Sequence, residues 1–147
     1  MSLLDQVIQE SLRLYPPIHL GNRLASEDLQ TPSCRVPAGS RVVYSIYLTH
    51  RDPRVWSEPR TFQPQRFAEQ RPAKPYGYVP FGGGPRNCVG AAFGRVEASS
   101  VLARVLQRKN LRLVPGVIHP HMGATLMPHP AVRMRTFQRI QSPTPPA

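Results

Sequence analysis

Ten residues hold the chain's most reactive arrangement: FGGGPRNCVG, residues 81–90. Cys88 lies among glycines, two residues after Arg86 and just before a helix-like run, AAFGRVEASSVLARVLQ. Three chemistries compete for such a loop. A phosphate cradle closes on Lys-Ser or Lys-Thr, and neither occurs here. A buried, inert cysteine is the plain structural alternative. The third is a thiolate that ligates a metal: a helix N-terminus and an arginine both favour the anion, and glycines let backbone N–H groups come near the sulfur. A second pairing of interest is Glu10 with Arg13, three apart and therefore neighbours if that segment is helical. The HPH stretch at 119–121 offers two imidazoles, a pattern that binds metal adventitiously more often than by design.

The elements that must position these groups can be read from spacing. Leu4, Val7, Ile8 and Leu12 mark an apolar side of a helix over 3–15, stopped by Pro16 and Pro17. VPAGSRVVYSIYLTH predicts a turn at Pro37–Gly39 that feeds a strand. Asp52 followed by Pro53 predicts a helix start. FQPQRF, 62–67, reads as irregular chain anchored by Phe62 and Phe67. The helix after the glycine loop has the clearest stripe: Ala98, Val101, Leu102, Val105 and Leu106. NLRLVP is a short strand and ATLMPHPAVRMRTF a hairpin with a proline in its turn.

The chain has 147 residues, 40% of them hydrophobic, enough for one ordinary core. Its 18 prolines argue against a pure helical bundle. No run approaches about 20 apolar residues, so no membrane span is predicted, and the first residues do not resemble a signal peptide. Two cysteines, Cys34 and Cys88, cannot build a four-cysteine site, and a reducing cytoplasm is the simplest compartment for them. The net charge of +11 favours acidic partners, yet the arginines are scattered and no run of five basic residues occurs. With no recognition module or stacking platform, nucleic acid is not an expected partner.

Phe81, Gly84, Arg86, Cys88 and Gly90 spell F-x-x-G-x-R-x-C-x-G, which resembles the haem-binding signature of the cytochrome P450 family, the haem-thiolate monooxygenases. Two further stretches fall in the family's order. ESLR, 10–13, resembles the E-x-x-R of its K helix, and FQPQRF resembles its meander motif, with Gln65 where glutamate is usual and Arg66 kept. HRDPRVWSEP, between them, is similar as well. The resemblance covers residues 3–137. It implies an α+β C-terminal portion of a mainly helical fold over residues 1–140: K helix, meander, cysteine loop, L helix and short β-sheets. Residues 141–147 are expected to be a disordered tail.

The resemblance assigns roles residue by residue. Cys88 is the axial ligand of the iron of haem b, iron protoporphyrin IX. Phe81 packs by the sulfur, and Gly84 and Gly90 permit the tight turn and close approach. Gly94, where the family more often has alanine, reads as a packing gap. Arg86 binds a haem propionate, and Arg23 stands where a second propionate-binding residue is common. Glu10, Arg13 and Arg66 form a buried, structural charge triad that ties the K helix to the meander. Leu20 and Leu126 lie in segments resembling substrate-contacting loops. The other histidines need no catalytic role, and Arg41 and Arg95 read as solvated charges.

The implied activity is insertion of one oxygen atom into an organic, apolar small molecule, with electrons from a ferredoxin or a flavoprotein reductase. The family's oxygen-activating motif, A/G-G-x-x-T, is not found in this sequence, and the length matches only a C-terminal third. A truncated, mis-started or split gene product is therefore expected. The alternative is a non-catalytic remnant that binds haem weakly or not at all.

Overall fold

The computed structural model of the chain describes residues 2–69 and 74–138. The tail expected over 141–147 lies outside the described residues.

Helix α1 spans Leu3–Leu14. Ser2 starts it: its Oγ accepts the Asp5 N–H at 3.2 Å, while the Asp5 carboxylate accepts the Ser2 N–H at 3.3 Å, so two otherwise unpaired donors are satisfied. The prolines after Tyr15 prevent its extension. The buried face is not the expected apolar stripe. Of Leu4, Val7, Ile8 and Leu12, only Ile8 is buried; the deepest positions are Glu10 and Arg13, followed by Leu14, while Gln6 is buried to the same degree as Ile8. Spaced four and three residues apart, the polar three share one helix side.

What draws that side inward is charge pairing. Arg13 Nε donates to Glu10 Oε2 at 2.7 Å and its Nη2 to Oε1 at 2.8 Å, with both side chains fully buried. The other guanidinium hydrogens go to backbone carbonyls of His50 at 2.7 Å, Pro59 at 2.8 Å and Thr61 at 3.2 Å. Arg66 joins from the far side, its Nε donating to Glu10 Oε1 at 3.2 Å and its Nη1 to the Ser57 carbonyl at 2.9 Å. The Trp56 ring lies 5.1 Å from the Arg13 guanidinium carbon and 5.8 Å from that of Arg66. Around this knot pack Trp56, Phe67, Tyr78 and His50, their ring centres 5.1–6.1 Å apart in the four contacts formed.

Strand β1, Leu20–Leu24, pairs antiparallel with β4, Arg41–Ser45, placing Gly21 opposite Tyr44. Between them, β2, Leu29–Gln30, and β3, Arg35–Val36, form a short ladder. Asp28 closes it by accepting the Ala38 N–H at 2.8 Å and pairing with Arg35. The strand expected through VPAGSRVVYSIYLTH ends at Ser45, whose Oγ accepts the Leu48 N–H at 3.1 Å and starts helix α2, Ile46–Thr49. Asp52 begins a single turn, not a helix: its carbonyl accepts from Val55 and Trp56, and Glu58, at φ 44°, cannot continue a helical path. Helix α3, Arg66–Glu69, buries Phe67, whereas Phe62, expected as a second anchor, is half exposed.

Helix α4 spans Ala91–Arg108 and has no buried residue, so its stripe from Ala98 to Leu106 is not part of this core. Gly94 lies on it with open space where a Cβ would stand. Strands β5, Lys109–Leu113, and β8, Met134–Gln138, pair antiparallel, and β6, His119–Met122, pairs with β7, Leu126–His129, inside that loop. The hairpin expected over 124–137 is therefore replaced by two nested pairs. The turn at Gly123, whose N–H reaches the Thr125 carbonyl at 3.3 Å, gives β7 to β6 and leaves β8 for β5. The inner pair docks on the end of α1 through Leu126 N–H to the Pro17 carbonyl, 2.7 Å. Among the described residues the result is a mixed α and β structure of four two-stranded sheets around one polar-centred core.

Arg13 makes five hydrogen bonds that three ammonium hydrogens cannot replace. Arg13→Lys is expected to lower unfolding stability by about 3 kcal/mol or more, read as a urea midpoint. Arg54→Ala, which removes the exposed pair with Asp52, is expected to leave the midpoint unchanged. Equal shifts would show that burial adds nothing to the pair.

His50 is fully buried, and burial pushes its pKa from 6.5 down to about 4; the bond to the Arg13 carbonyl opposes this, and the Arg13 and Arg51 charges add to it. Between those values the unfolded chain binds a proton that the folded chain refuses. This contribution is fully present above pH 6.5 and is lost as the pH falls toward about 4, by up to about 3 kcal/mol. The stability gap between wild type and His50→Gln is expected to narrow over that window; a constant gap would rule the histidine out as its source.

Candidate functional site

The cysteine loop hangs from the core by three bonds in three consecutive residues. Trp56 Nε1 donates to the Gly77 carbonyl at 3.1 Å, the Tyr78 hydroxyl donates to the Gln9 carbonyl at 3.1 Å, and the Val79 N–H donates to His50 Nε2 at 2.8 Å. Burial raises the Tyr78 hydroxyl pKa, so it remains a donor. Beyond this anchor the chain reverses. Gly82 and Gly84 take φ of 81° and 68°, a region that favours glycine. Gly82 N–H returns to the Val79 carbonyl at 3.0 Å, and a 3-10 turn spans Gly84–Arg86. Cys88 N–H then donates to the Phe81 carbonyl at 2.9 Å, so the signature's aromatic residue and its cysteine are bonded across the loop.

Gly90 differs from Gly84. Its φ of −82° suits any residue, and the only neighbour a Cβ would meet is Cys88 Sγ at 3.9 Å. What its missing side chain does is leave space beside the sulfur. Cys88 itself is exposed, as is Cys34, and both thiols are free. The loop N–H groups of Gly82 and Cys88 are spent on carbonyls. Arg95, expected to be a solvated charge, holds its guanidinium carbon 5.3 Å from the Phe81 ring centre.

Cys88, Arg86 and Phe81 line a cavity of about 490 Å³ whose opposite wall is β1 and β4: Arg23, Gly21 and Tyr44, with Ile18. Four of the six expected cofactor-contacting residues thus face one space, and Gly84 and Gly90 shape the loop that borders it. Arg23 is oriented by a bond from Nη1 to the Asn22 carbonyl, 2.7 Å, and by the Tyr44 ring at 5.8 Å. A Cβ on Gly21 would stand 2.2 Å from Tyr44 Cζ, so the cavity wall depends on that position having no side chain. The two expected substrate contacts are elsewhere. Leu20 is half exposed on β1, and Leu126 is buried in a separate cavity of about 420 Å³ with Tyr15 and Met127.

Sequence reasoning passed over His50, Trp56, Tyr78 and Tyr44. The first two stand in HRDPRVW, where a histidine directly before two charged residues and a lone tryptophan just after them were the available signals. Tyr44 has no local signal; it matters because β-pairing sets it against Gly21.

Among the described residues no three His, Cys, Asp or Glu side chains gather to hold a bare metal ion. His121 and His129 approach only as a ring pair, 5.8 Å between centres. One sulfur, two guanidinium groups and two aromatic rings on a single cavity fit a planar, apolar group with carboxylate arms.

The sequence model described as Cytochrome P450 matches residues 1–133. Cytochrome P450 3A16 of Mus musculus is 41% identical over 109 residues, 73% of this chain and 22% of its own length. Cytochrome P450 3A5 of Homo sapiens is 42% identical over 108 residues, again 73% and 22%. The chain thus spans about a fifth of the length of these curated relatives. Retinoic acid bound cyanobacterial CYP120A1 matches the fold with a TM-score of 0.85 at 36% identity, over 93% of this chain and 32% of that one. No described helix is long and apolar enough to cross a membrane. With the sequence model reaching from residue 1 to residue 133 and the fold agreeing at this level, the chain belongs to the cytochrome P450 family.

Proposed function

We propose that residues 1–140 are the haem-binding portion of a monooxygenase, with haem b as the cofactor and Cys88 as the residue that would ligate its iron. The observation that carries this reading is the cavity of about 490 Å³ shared by Cys88, Arg86, Phe81 and Arg23. When bound, the haem would supply the binding and activation of oxygen for insertion of one oxygen atom into an organic substrate.

The chain's own residues hold and tune. Cys88 offers its sulfur from a short loop fixed at Phe81. Phe81 borders the same cavity as the sulfur, and Arg95 over its ring steadies it. Arg86 and Arg23, from the loop and from β1, would each take a propionate in a charge-assisted fork. Glu10, Arg13 and Arg66 act at a distance, holding in place the segment from which the loop hangs. The substrate class is an apolar organic molecule; the solved relative bound to retinoic acid supports that class, and Leu20 and Leu126 remain the proposed contacts. The net charge of +11 suits an acidic ferredoxin or flavoprotein as electron donor. Free thiols at both cysteines suit a reducing, cytoplasmic setting.

Haem titration of the chain, followed by absorption, tests the assignment. Wild type and Cys34→Ala are expected to give a thiolate-ligated spectrum, and Cys88→Ala to lose it. An unchanged spectrum in Cys88→Ala, or no saturable uptake by wild type, would overturn the reading, the latter in favour of a remnant without haem. Arg86→Leu and Arg23→Leu are each expected to weaken haem binding about tenfold while leaving the thiolate spectrum in place.

The 147-residue chain by itself is expected to bind haem without forming product. Cys88 is exposed in its cavity, and oxygen chemistry of this kind needs water excluded from the reacting face. The assay supplies ferredoxin, reductase, NADPH and a panel of apolar substrates. Coupled hydroxylation that disappears in Cys88→Ala would make this chain a minimal enzyme and refute the expectation.

A further inference from the structure

We infer that His50 is a positioning residue for the cysteine loop: as the neutral tautomer with its proton on Nδ1, it ties the Val79 N–H to the carboxyl-terminal end of α1. The two ring nitrogens leave no other assignment. Nδ1 lies 3.2 Å from the Arg13 carbonyl oxygen, which can only accept, so Nδ1 carries the hydrogen. Nε2 lies 2.8 Å from the Val79 nitrogen, whose N–H can only donate, so Nε2 presents its lone pair. Of the three protonation states of an imidazole, this one alone satisfies both neighbours.

The residue is held on every side. Its own carbonyl accepts Arg13 Nη1 at 2.7 Å, and its N–H donates to the Ile46 carbonyl at 2.9 Å. The Tyr78 ring lies 5.3 Å away, tilted by 31°. The charged and titratable groups that surround it are Arg13, paired with Glu10, on α1, Arg51 in its own segment, and Tyr78 ahead of the loop. The two arginines oppose a third positive charge, as does burial. From Val79 the connection continues outward: its carbonyl takes the Gly82 N–H at 3.0 Å, and Phe81 takes the Cys88 N–H at 2.9 Å. A histidine 38 positions before Cys88 in sequence therefore sets where the loop leaves the core.

The consequence for iron ligation rests on the haem-thiolate reading above, and the test is chosen to be independent of it. Amide hydrogen exchange is measured on the 147-residue chain without haem, in wild type, His50→Gln, His50→Asn and His50→Phe. Glutamine places an acceptor near the Nε2 position; asparagine supplies a donor near Nδ1 and no acceptor for Val79; phenylalanine keeps ring packing alone. Exchange at Val79, Gly82 and Cys88 is expected to rise about tenfold in the Asn and Phe variants and to stay near wild type in the Gln variant, with α1 amides as the internal control. Equal exchange in the Phe and Gln variants would reduce His50 to a packing residue and overturn the inference. Nitrogen-15 shifts of the wild-type ring give a readout that needs no variant. They are expected to show the Nδ1–H tautomer at neutral pH, and an Nε2–H tautomer or a charged ring would overturn the inference. Should wild type take up no haem, the haem-thiolate reading fails while this exchange pattern still decides the role of His50.

Discussion

Two guanidinium groups and one carboxylate share the middle of this structure, and their burial is its governing constraint. Removing such charges from water costs several kcal/mol for each ion, which their mutual attraction offsets only with good geometry and full hydrogen bonding. Here the geometry is close to complete. Glu10 receives both forks of Arg13, the Arg66 Nε and the Gln63 N–H at 2.9 Å, while every outward hydrogen bond of Arg13 ends on a carbonyl. Those carbonyls belong to residues 50, 59 and 61, an irregular segment with no ladder of its own. The guanidinium thus does for that segment what a sheet does elsewhere: it pairs backbone acceptors that would otherwise be buried alone.

The site inherits its position from this arrangement. Residues 77–79 are fixed to Trp56, Gln9 and His50; Trp56 and His50 touch Arg13, and Gln9 precedes Glu10 on α1. The glycine turn then needs few contacts of its own, and it can present an exposed sulfur on a short, pinned loop. Rigidity at the base and openness at the tip are compatible because different residues supply them. The opposite wall is organised separately, by β-pairing that brings Arg23 and Tyr44 together.

Much of this is legible in the sequence. Helices α1 and α4 follow from apolar spacing and proline stops, strand β5 from its short apolar run, and the cysteine loop from its motif. The missed features share one cause: they depend on partners remote in sequence. An i, i+3 Glu–Arg pair looks the same on a surface helix as in a core, and only Arg66, 56 residues after Glu10, makes it central. Spacing alone marks the apolar side of α1 as its inner face; the buried polar face is what the resemblance to the family's charge triad implies. Ser45 ending a strand by capping α2, and β7 turning back to β6, are choices between locally similar alternatives. His50 carries no periodic signal, and its meaning lies in two backbone groups, one 37 residues before it and one 29 after it.

The absent side chain at Gly21 has a consequence that reaches beyond one molecule. The Tyr44 ring occupies the volume where a Cβ at position 21 would stand, so the two positions share a single allotment of space. Any larger residue at 21 demands either a smaller one at 44 or a ring turned out of the cavity. Among related sequences the two sites should therefore drift as a coupled pair, bulk passing from one strand to the other, while neither can lengthen alone.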